Sequence, residues 1–579
     1  MKRALALCLL LALLIPTLFS CGKKSFPPEP SGTVSATTAN GSGSRTDGGK
    51  ETTATDGRNG TPSGDGSTQT ATTTTDPWEP VASALSGLDE TYRTILIELD
   101  ASETAETGAR NARLFAGPDA ITGATPAAER AIFERNRDAR ERLGVSALYT
   151  YWDDACGDQS GKIVTAAKGA NAPDLFVNTL RDLTRAALQG CFRDVYAAAG
   201  SYLDLAGDGW LTEFVASASL THDRAYILAG DAFPDLFRGA TVLPFNRSMI
   251  DDKTERARLS PCILPNGETL GAGEKLSDRF FDLIAAGKWT FDVLRALSEA
   301  VFSDNGDRAD TDDFSDLLGF VCDTAADTAA GAFFAARGTD YLSESTDGET
   351  GCVTLTYRND GGTLGALFDA ISRLIGGNGT LVTTGGFSDL PDQPGLAAHR
   401  RKFAAGSLLF LGAVPLGALG YDETRAMTDE FAIAPMPKLL EADRYVTPLS
   451  PDADAGAVNR SSAAYPAVSA YLQFLSENSG AAVDAYLVSL TGKAKGVDVG
   501  TDRMIGIVRR SVVSWRAGMI EDAVSGVDAP AWHTMAESNA YKMTAADFGE
   551  EYPAAISGKQ ERLNQLLNTW YGLPKGATE

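Results

Sequence analysis

Histidine is almost missing from this chain. Its 579 residues include only His222, His399 and His533, and none stands in the H-E-x-x-H spacing that holds zinc on a helix face. No G-x-S-x-G elbow, G-x-x-x-x-G-K-[ST] phosphate loop or G-x-G-x-x-G fingerprint occurs, so the motifs give catalysis little support. Paired carboxylates for glycoside cleavage meet only in space, and a sequence does not reveal them. Seven cysteines are present without one C-x-x-C pair, which leaves no sign of a zinc site or a redox couple. Positive charge is scarce too: 51 Lys and Arg against 76 Asp and Glu give a net charge of -25. That balance opposes nucleic acid as a partner, because phosphates demand a basic face. It also opposes a peripheral grip on anionic lipid. The acidic residues are scattered, as on a solvated surface.

What is present begins at the N-terminus. Lys2 and Arg3 precede an unbroken apolar run over residues 4–15, and a short exit ends in a small residue and Cys21. A positive start, an apolar core and a small residue at the cut form a secretory signal peptide, here residues 1–20. The run is shorter than the ~20 apolar residues of a stable membrane span. Leu18-Phe19-Ser20-Cys21 resembles the lipobox of bacterial lipoproteins, with Phe19 bulkier than the usual occupant. The resemblance implies that Cys21 is acylated on sulfur, becomes the new N-terminus and ties an exported protein to the outer face of the membrane.

Residues 21–84 change character. Ser, Thr, Gly, Pro and Asp dominate, with almost no large apolar side chain before residue 78. Such a stretch cannot bury enough surface to offset its ordering entropy, and is expected to be a disordered tether. A flexible coil of about 60 residues spans on average ~40–45 Å. The folded part is expected from about Leu85. Its length exceeds one core, since single cores stop growing near ~250–300 residues, so two lobes are expected. Of the remaining cysteines, Cys156 and Cys191 are the pair for one disulfide, while buried free thiols are expected for most of Cys156, Cys191, Cys262, Cys322 and Cys352.

Local patterns predict strands at 94–99, 145–151 and 174–177, with helices from Pro126, from about Lys162 and over 180–188. Thr125 and Pro126 read as N-cap and first helical residue, and Gly190 as a helix stop. Alternating strand and helix indicates an α/β layer with a largely parallel sheet. Further on, Thr290 is placed to cap a helix, with Trp289 and Leu294 at the two positions of a hydrophobic staple. Gly406 ends a helix before an apolar strand. Residues 431–434 form a strand stopped by Pro435 and Pro437, and the chain from Ala463 reads mostly helical.

Several stretches, in order, resemble the family 1 extracellular solute-binding proteins, the receptors of ABC importers, in a branch common in Gram-positive anaerobes. They are Ala131-Ile132-Phe133-Glu134-Arg135-Asn136; Tyr202-Leu203-Asp204-Leu205 ahead of Trp210; Ala225-Tyr226-Ile227 with Gly230-Asp231; and Val242-Leu243-Pro244-Phe245-Asn246. Gly287-Lys288-Trp289-Thr290-Phe291, Phe403-Ala404-Ala405-Gly406, Ile433-Ala434-Pro435-Met436-Pro437-Lys438, and Asp498 with Met504 complete the set. The resemblance runs from about residue 90 to 515. It implies an α/β, two-lobed periplasmic-binding-protein-like fold with a hinge and a central cleft. Lobe I would be 85–240 with 404–450 returning to it, and lobe II 241–403 with 451–579. Phe245-Asn246 would lie near the first crossing and Gly406 near the second.

It implies, further, a small polar solute, expected to be a mono- or oligosaccharide, no cofactor, ABC permease subunits as partners, and a monomer. Sugar receptors present aromatic faces to the ring and carboxylates or amides to its hydroxyls. Trp152 and Asp153 follow a predicted strand, where ligand-contacting loops of open α/β sheets fall. Trp210, Tyr226, Asp231 and Tyr421 are further candidates, with core packing as the alternative for each. Residues 303–313 hold the one metal-like cluster. Asn305 and Asp307 are weak calcium candidates, because Ser303 and Arg308 stand where a first ligand and a turn glycine are needed, which favours a solvated turn. An exported carbohydrate-active enzyme, hydrolase or lyase, and a surface interaction protein are the alternatives to a receptor.

Overall fold

The computed structural model describes residues 76–100, 114–152, 159–264, 267–304, 316–323, 333, 342–358, 363–383, 395–491, 499–513 and 545–572. The signal segment, Cys21, most of the tether, Asp153, Cys156, Asn305, Asp307 and Asp498 lie outside them. The first described helix is Glu79–Ser86, a little ahead of the expected start.

Twelve strands are described. The first sheet takes β1 (Thr94–Asp100), β2 (Ser146–Trp152), β3 (Leu175–Thr179) and, from far along the chain, β12 (Asp454–Val458), in the order β12-β3-β1-β2. β1 runs parallel to β2 and β3, and β12 is antiparallel to β3. Ile95, Ile97 and Leu99 alternate along β1 and are fully buried on one face, as the period of two requires. The helix Ala127–Leu143 packs on the helices Tyr465–Asn478 and Gly480–Thr491 and closes at Gly144 in the left-handed conformation, φ 66°. It starts one residue later than expected, with Pro126 outside it; the Thr125 hydroxyl instead accepts the Thr122 N–H at 2.8 Å. Within this helix Arg135 is buried and reaches Phe115 O at 3.0 Å, Ala232 O at 3.3 Å and Ser479 Oγ at 2.8 Å. Its guanidinium joins four parts of the chain, which accounts structurally for one of the family-like stretches.

The second sheet is built on β4 (Thr241–Asn246), β5 (Leu318–Asp323), β8 (Thr380–Thr383), β9 (Leu408–Leu411), β10 (Val414–Pro415) and β11 (Phe431–Ala434). Its order is β10-β4-β9-β5-β8, with β11 also on β4. β5 is parallel to β8 and β9, whereas β4 is antiparallel to β9, β10 and β11. A separate hairpin joins β6 (Leu342–Thr346) to β7 (Val353–Tyr357). The core of this layer is aromatic. Trp289 stacks on Phe410 at 5.5 Å and meets Phe280 edge-on at 5.2 Å, while its indole N–H donates to Pro435 O at 2.8 Å. Thr290 caps the helix Phe291–Val301 through the Val293 N–H, as its sequence predicts.

The fold is therefore α/β in two lobes, one around each sheet. The sheets divide the chain differently from the expected boundaries. Within 404–450, β9 and β11 pair with β5 and β4 of the second sheet, and β12 belongs to the first. Phe245 and Asn246 lie at the far end of β4 from the crossing, and Gly406 (φ 78°) sits in the turn between the helix Gly395–Ala404 and β9. The physical reason is that a short, fully apolar run is compatible with either sheet; only backbone pairing decides. The crossings themselves are 228–241 and 447–456. They run antiparallel side by side, bridged at Leu228–Gly456 and Ala240–Leu449, with Thr241 N–H on Pro448 O and Ser450 N–H on Gly239 O, both at 2.8 Å.

Candidate functional site

In open α/β sheets ligands gather beyond the carboxyl ends of the parallel strands, where the chain turns away and exposes polar groups. In the first sheet those ends are Asp100, Trp152 and Thr179. Because β12 is antiparallel, its first residue, Asp454, comes to the same edge opposite Thr179.

A chain of buried side chains links two of these positions, Asp100 and Thr179. The Gln159 amide donates to Asp100 Oδ1 at 2.9 Å, and the Asn178 amide donates to Gln159 Oε1 at 2.8 Å. Asn178 Oδ1 accepts the Thr179 N–H at 2.7 Å, and Thr179 Oγ1 caps the helix Leu180–Ala187 through the Asp182 N–H at 3.2 Å. Trp152 stands half-buried at the end of β2, its ring 6.4 Å from Phe176 and tilted by 53°. Beside the edge, the 3-10 turn Pro234–Gly239 supplies Asp235 and Arg238, paired at 2.9 Å, and Tyr486 donates its hydroxyl to Asp235 Oδ1 at 2.6 Å. Burial pushes the Asp454 carboxyl well above the ordinary carboxylate range, and the charges of Asp235 and Asp100 add to the push.

The other candidates fall elsewhere. Trp210 is buried, and its indole N–H donates to Gln473 Oε1 at 2.9 Å. Tyr226 is buried edge-on against Trp570, with ring centroids 5.0 Å apart. Asp231 receives Arg509 NH2 on both oxygens, at 2.9 and 3.0 Å; burial raises its carboxyl even though Arg509 pulls it down. Tyr421 lies under the Arg400 guanidinium, 4.1 Å from its ring centre. Trp210, Tyr226, Asp231 and Tyr421 thus act in packing and pairing in this arrangement, and none joins the edge that holds Trp152. Cys191, Cys262 and Cys352 are free thiols among the described residues, and Cys156, the partner expected for Cys191, lies outside them.

Asp100, Gln159, Asn178 and Asp454 were not singled out from the sequence. Asp100 carried a usable signal, as the polar residue closing an apolar strand. Asp454 carried none, since Asp-Ala-Gly-Ala-Val does not declare itself a strand. Chemically, the edge offers one partly exposed aromatic face, Trp152, set over buried amides and carboxylates. Among the described residues no group of three His, Cys, Asp or Glu could hold a metal ion. No described helix is long and apolar enough to cross a membrane.

No family model matches the sequence, and no curated protein matches it. Solved structures do. The GacH receptor of Streptomyces glaucescens GLA.O, determined unliganded and with acarbose, is 13% identical, with 82% of this chain and 98% of that chain covered and a TM-score of 0.44. The galacto-N-biose-/lacto-N-biose I-binding protein of an ABC transporter from Bifidobacterium longum, in complex with lacto-N-biose, is 14% identical over 81% and 97%, TM-score 0.44. A family 1 extracellular solute-binding protein from Bifidobacterium longum subsp. infantis is 10% identical over 83% and 99%, TM-score 0.41. The chain is similar to these proteins along nearly the whole of their length.

Proposed function

We propose that this chain is a lipid-anchored extracellular receptor of an ABC importer, which captures a small polar solute, a carbohydrate, by closing its two lobes and releases it unchanged to the permease. The observation that carries the reading is the carboxyl edge of the first sheet. There Trp152 offers a partly exposed aromatic face beside a hydrogen-bonded set of Asp100, Gln159 and Asn178. The ring offers the apolar face of a pyranose its partner, and the buried set, bonded to itself, holds the strand ends that carry the ring. The paired crossings support the hinge: two adjacent, hydrogen-bonded segments let lobes turn without breaking either core. A solute that touches both lobes stabilises the closed form by its difference in affinity for the two states. Asp153, next after Trp152 in the sequence, remains a candidate ligand residue, and Cys21 is assigned to the acyl anchor.

The test is a thermal-shift and scattering screen of the protein lacking residues 1–21 against mono- and oligosaccharides. A ligand at 100 times its dissociation constant stabilises by ~2.7 kcal/mol, and the radius of gyration should fall with it. Trp152→Ala should weaken binding by about 1.4 kcal/mol, or tenfold. Binding with unchanged radius, or indifference to Trp152, would count against the reading.

A further inference from the structure

The cluster at the start of β12 is short of positive charge. Asp100, Asp235 and Asp454 are all buried there with one guanidinium, Arg238. That guanidinium is committed: its Nε donates to Asp235 Oδ2 at 2.9 Å and its NH2 to the Asp452 carbonyl at 2.8 Å. Asp235 also receives the Tyr486 hydroxyl, and Asp100 receives the Gln159 amide. Asp454 differs. It is 1% exposed, and among the described residues neither of its carboxyl oxygens has a hydrogen-bond partner.

Among the described residues, Arg238 is the one cation that acts on it by charge. β3 has no ionisable side chain in Leu-Phe-Val-Asn-Thr. The helix Leu180–Ala187 brings Asp182, which accepts the Ser160 N–H, and Arg181, which lies 3.6 Å from Asp452. The helix Gly480–Thr491 brings Tyr486, already bonded to Asp235. β1 brings Glu98 and Asp100, both acidic. Arg238 acts on Asp454 by charge but spends its hydrogen bonds elsewhere, and an ionised carboxyl with no donor in a dry interior is far costlier than a protonated one.

We propose that Asp454 carries a proton in this arrangement and makes the 447–456 crossing a proton-linked joint: turning the joint so that water reaches Asp454 lets the proton pass to solvent. The position gives this its consequence. Asp454 stands where one of the two paired crossings enters the first sheet, opposite Thr179, two residues from Gly456, which bridges to Leu228, and four from Ser450, whose N–H is held by Gly239 O. The buried arrangement holds one proton more than the hydrated one. Its population relative to the hydrated one therefore falls up to tenfold per pH unit above the ordinary carboxyl pKa of ~3.9, until the buried group itself ionises. Acid holds the joint as described here; alkali loosens it. This linkage stands whether or not the protein binds a sugar.

Hydrogen exchange read by mass spectrometry on the full chain, extracted from membranes in mild detergent, tests it between pH 5 and pH 8. Protection factors are taken for peptides covering 239–241 and 448–456 and corrected for intrinsic exchange. Wild type should lose protection there by up to tenfold per pH unit, and Asp454→Asn should be flat across the range. Equal slopes in the two proteins would overturn the proposal. If the Asn variant does not fold, the infrared spectrum of wild type at neutral pH decides. The carbonyl stretch of an un-ionised carboxylic acid free of hydrogen bonds supports the proposal, and its absence overturns it.

Discussion

Trp210 offers the sharpest test of how the candidate residues divide between packing and binding. Its indole is buried, and the N–H shares Gln473 Oε1 with the Asp204 N–H, at 2.9 and 2.8 Å. Trp210→Phe removes one of the two donors but leaves the acceptor satisfied, so the hydrogen-bond loss is about 1 kcal/mol rather than the larger cost of an orphan. The smaller ring also gives up about three buried heavy atoms, worth ~2 kcal/mol at ~0.8 kcal/mol each. The sum is ~3 kcal/mol. Gln473→Leu is the companion variant. It strands both donors, each costing ~1–3 kcal/mol, so its loss should fall at ~2–6 kcal/mol. Urea unfolding followed by far-UV circular dichroism reads both values from midpoints and slopes. Solute affinity should stay within about threefold in Trp210→Phe, since the indole has no open face. A Phe variant of unchanged stability that loses more than tenfold in affinity would refute the reasoning and return Trp210 to the binding site.

Three further outcomes are expected. Gly319→Ala should destabilise by more than about 2 kcal/mol, because a Cβ there would lie 2.1 Å from Ser298 Cα and 2.6 Å from its carbonyl oxygen, which are backbone and cannot swing away; a near-neutral result by urea titration would contradict the packing of Phe291–Val301 on β5. Burial, with Arg400 adding to it, lowers His399 from 6.5 to about 4, so the folded state binds fewer protons than the unfolded one. Its contribution is full above pH ~6.5 and is lost as pH falls toward ~4, by up to about 3 kcal/mol; His399→Gln should remove that part of the acid dependence, and an unchanged pH profile would contradict it. Cys21→Ala should release the folded protein from the cell surface, or leave its signal uncleaved, as read by fractionation and mass spectrometry; an anchored variant with normal processing would contradict the acyl tether.

Much of the local structure was legible in the sequence because it depends on near neighbours. β1, β2 and β3 follow from apolar runs set between turn residues. Thr290 caps its helix through Val293, only three positions on, and Gly190 and Gly406 take φ of 71° and 78° where the chain leaves a helix. The Thr125 cap failed for a comparable local reason: its hydroxyl is engaged by Thr122. Whether an aromatic side chain meets solvent or core was not legible. Trp210 finds its acceptor 263 residues away, and Tyr226 meets Trp570 near the other end of the chain.

By itself, then, the sequence determined the α/β character, the acidity and the absence of metal and nucleotide motifs, all of which depend on composition and short spacings. Tertiary structure alone decided that 408–411 and 431–434 join the second sheet and 454–458 the first. It alone gathered Asp100, Asp235, Arg238 and Asp454 at one edge. The reason is physical: strand periodicity records which face is buried, whereas the choice of neighbour rests on hydrogen bonds between segments hundreds of residues apart.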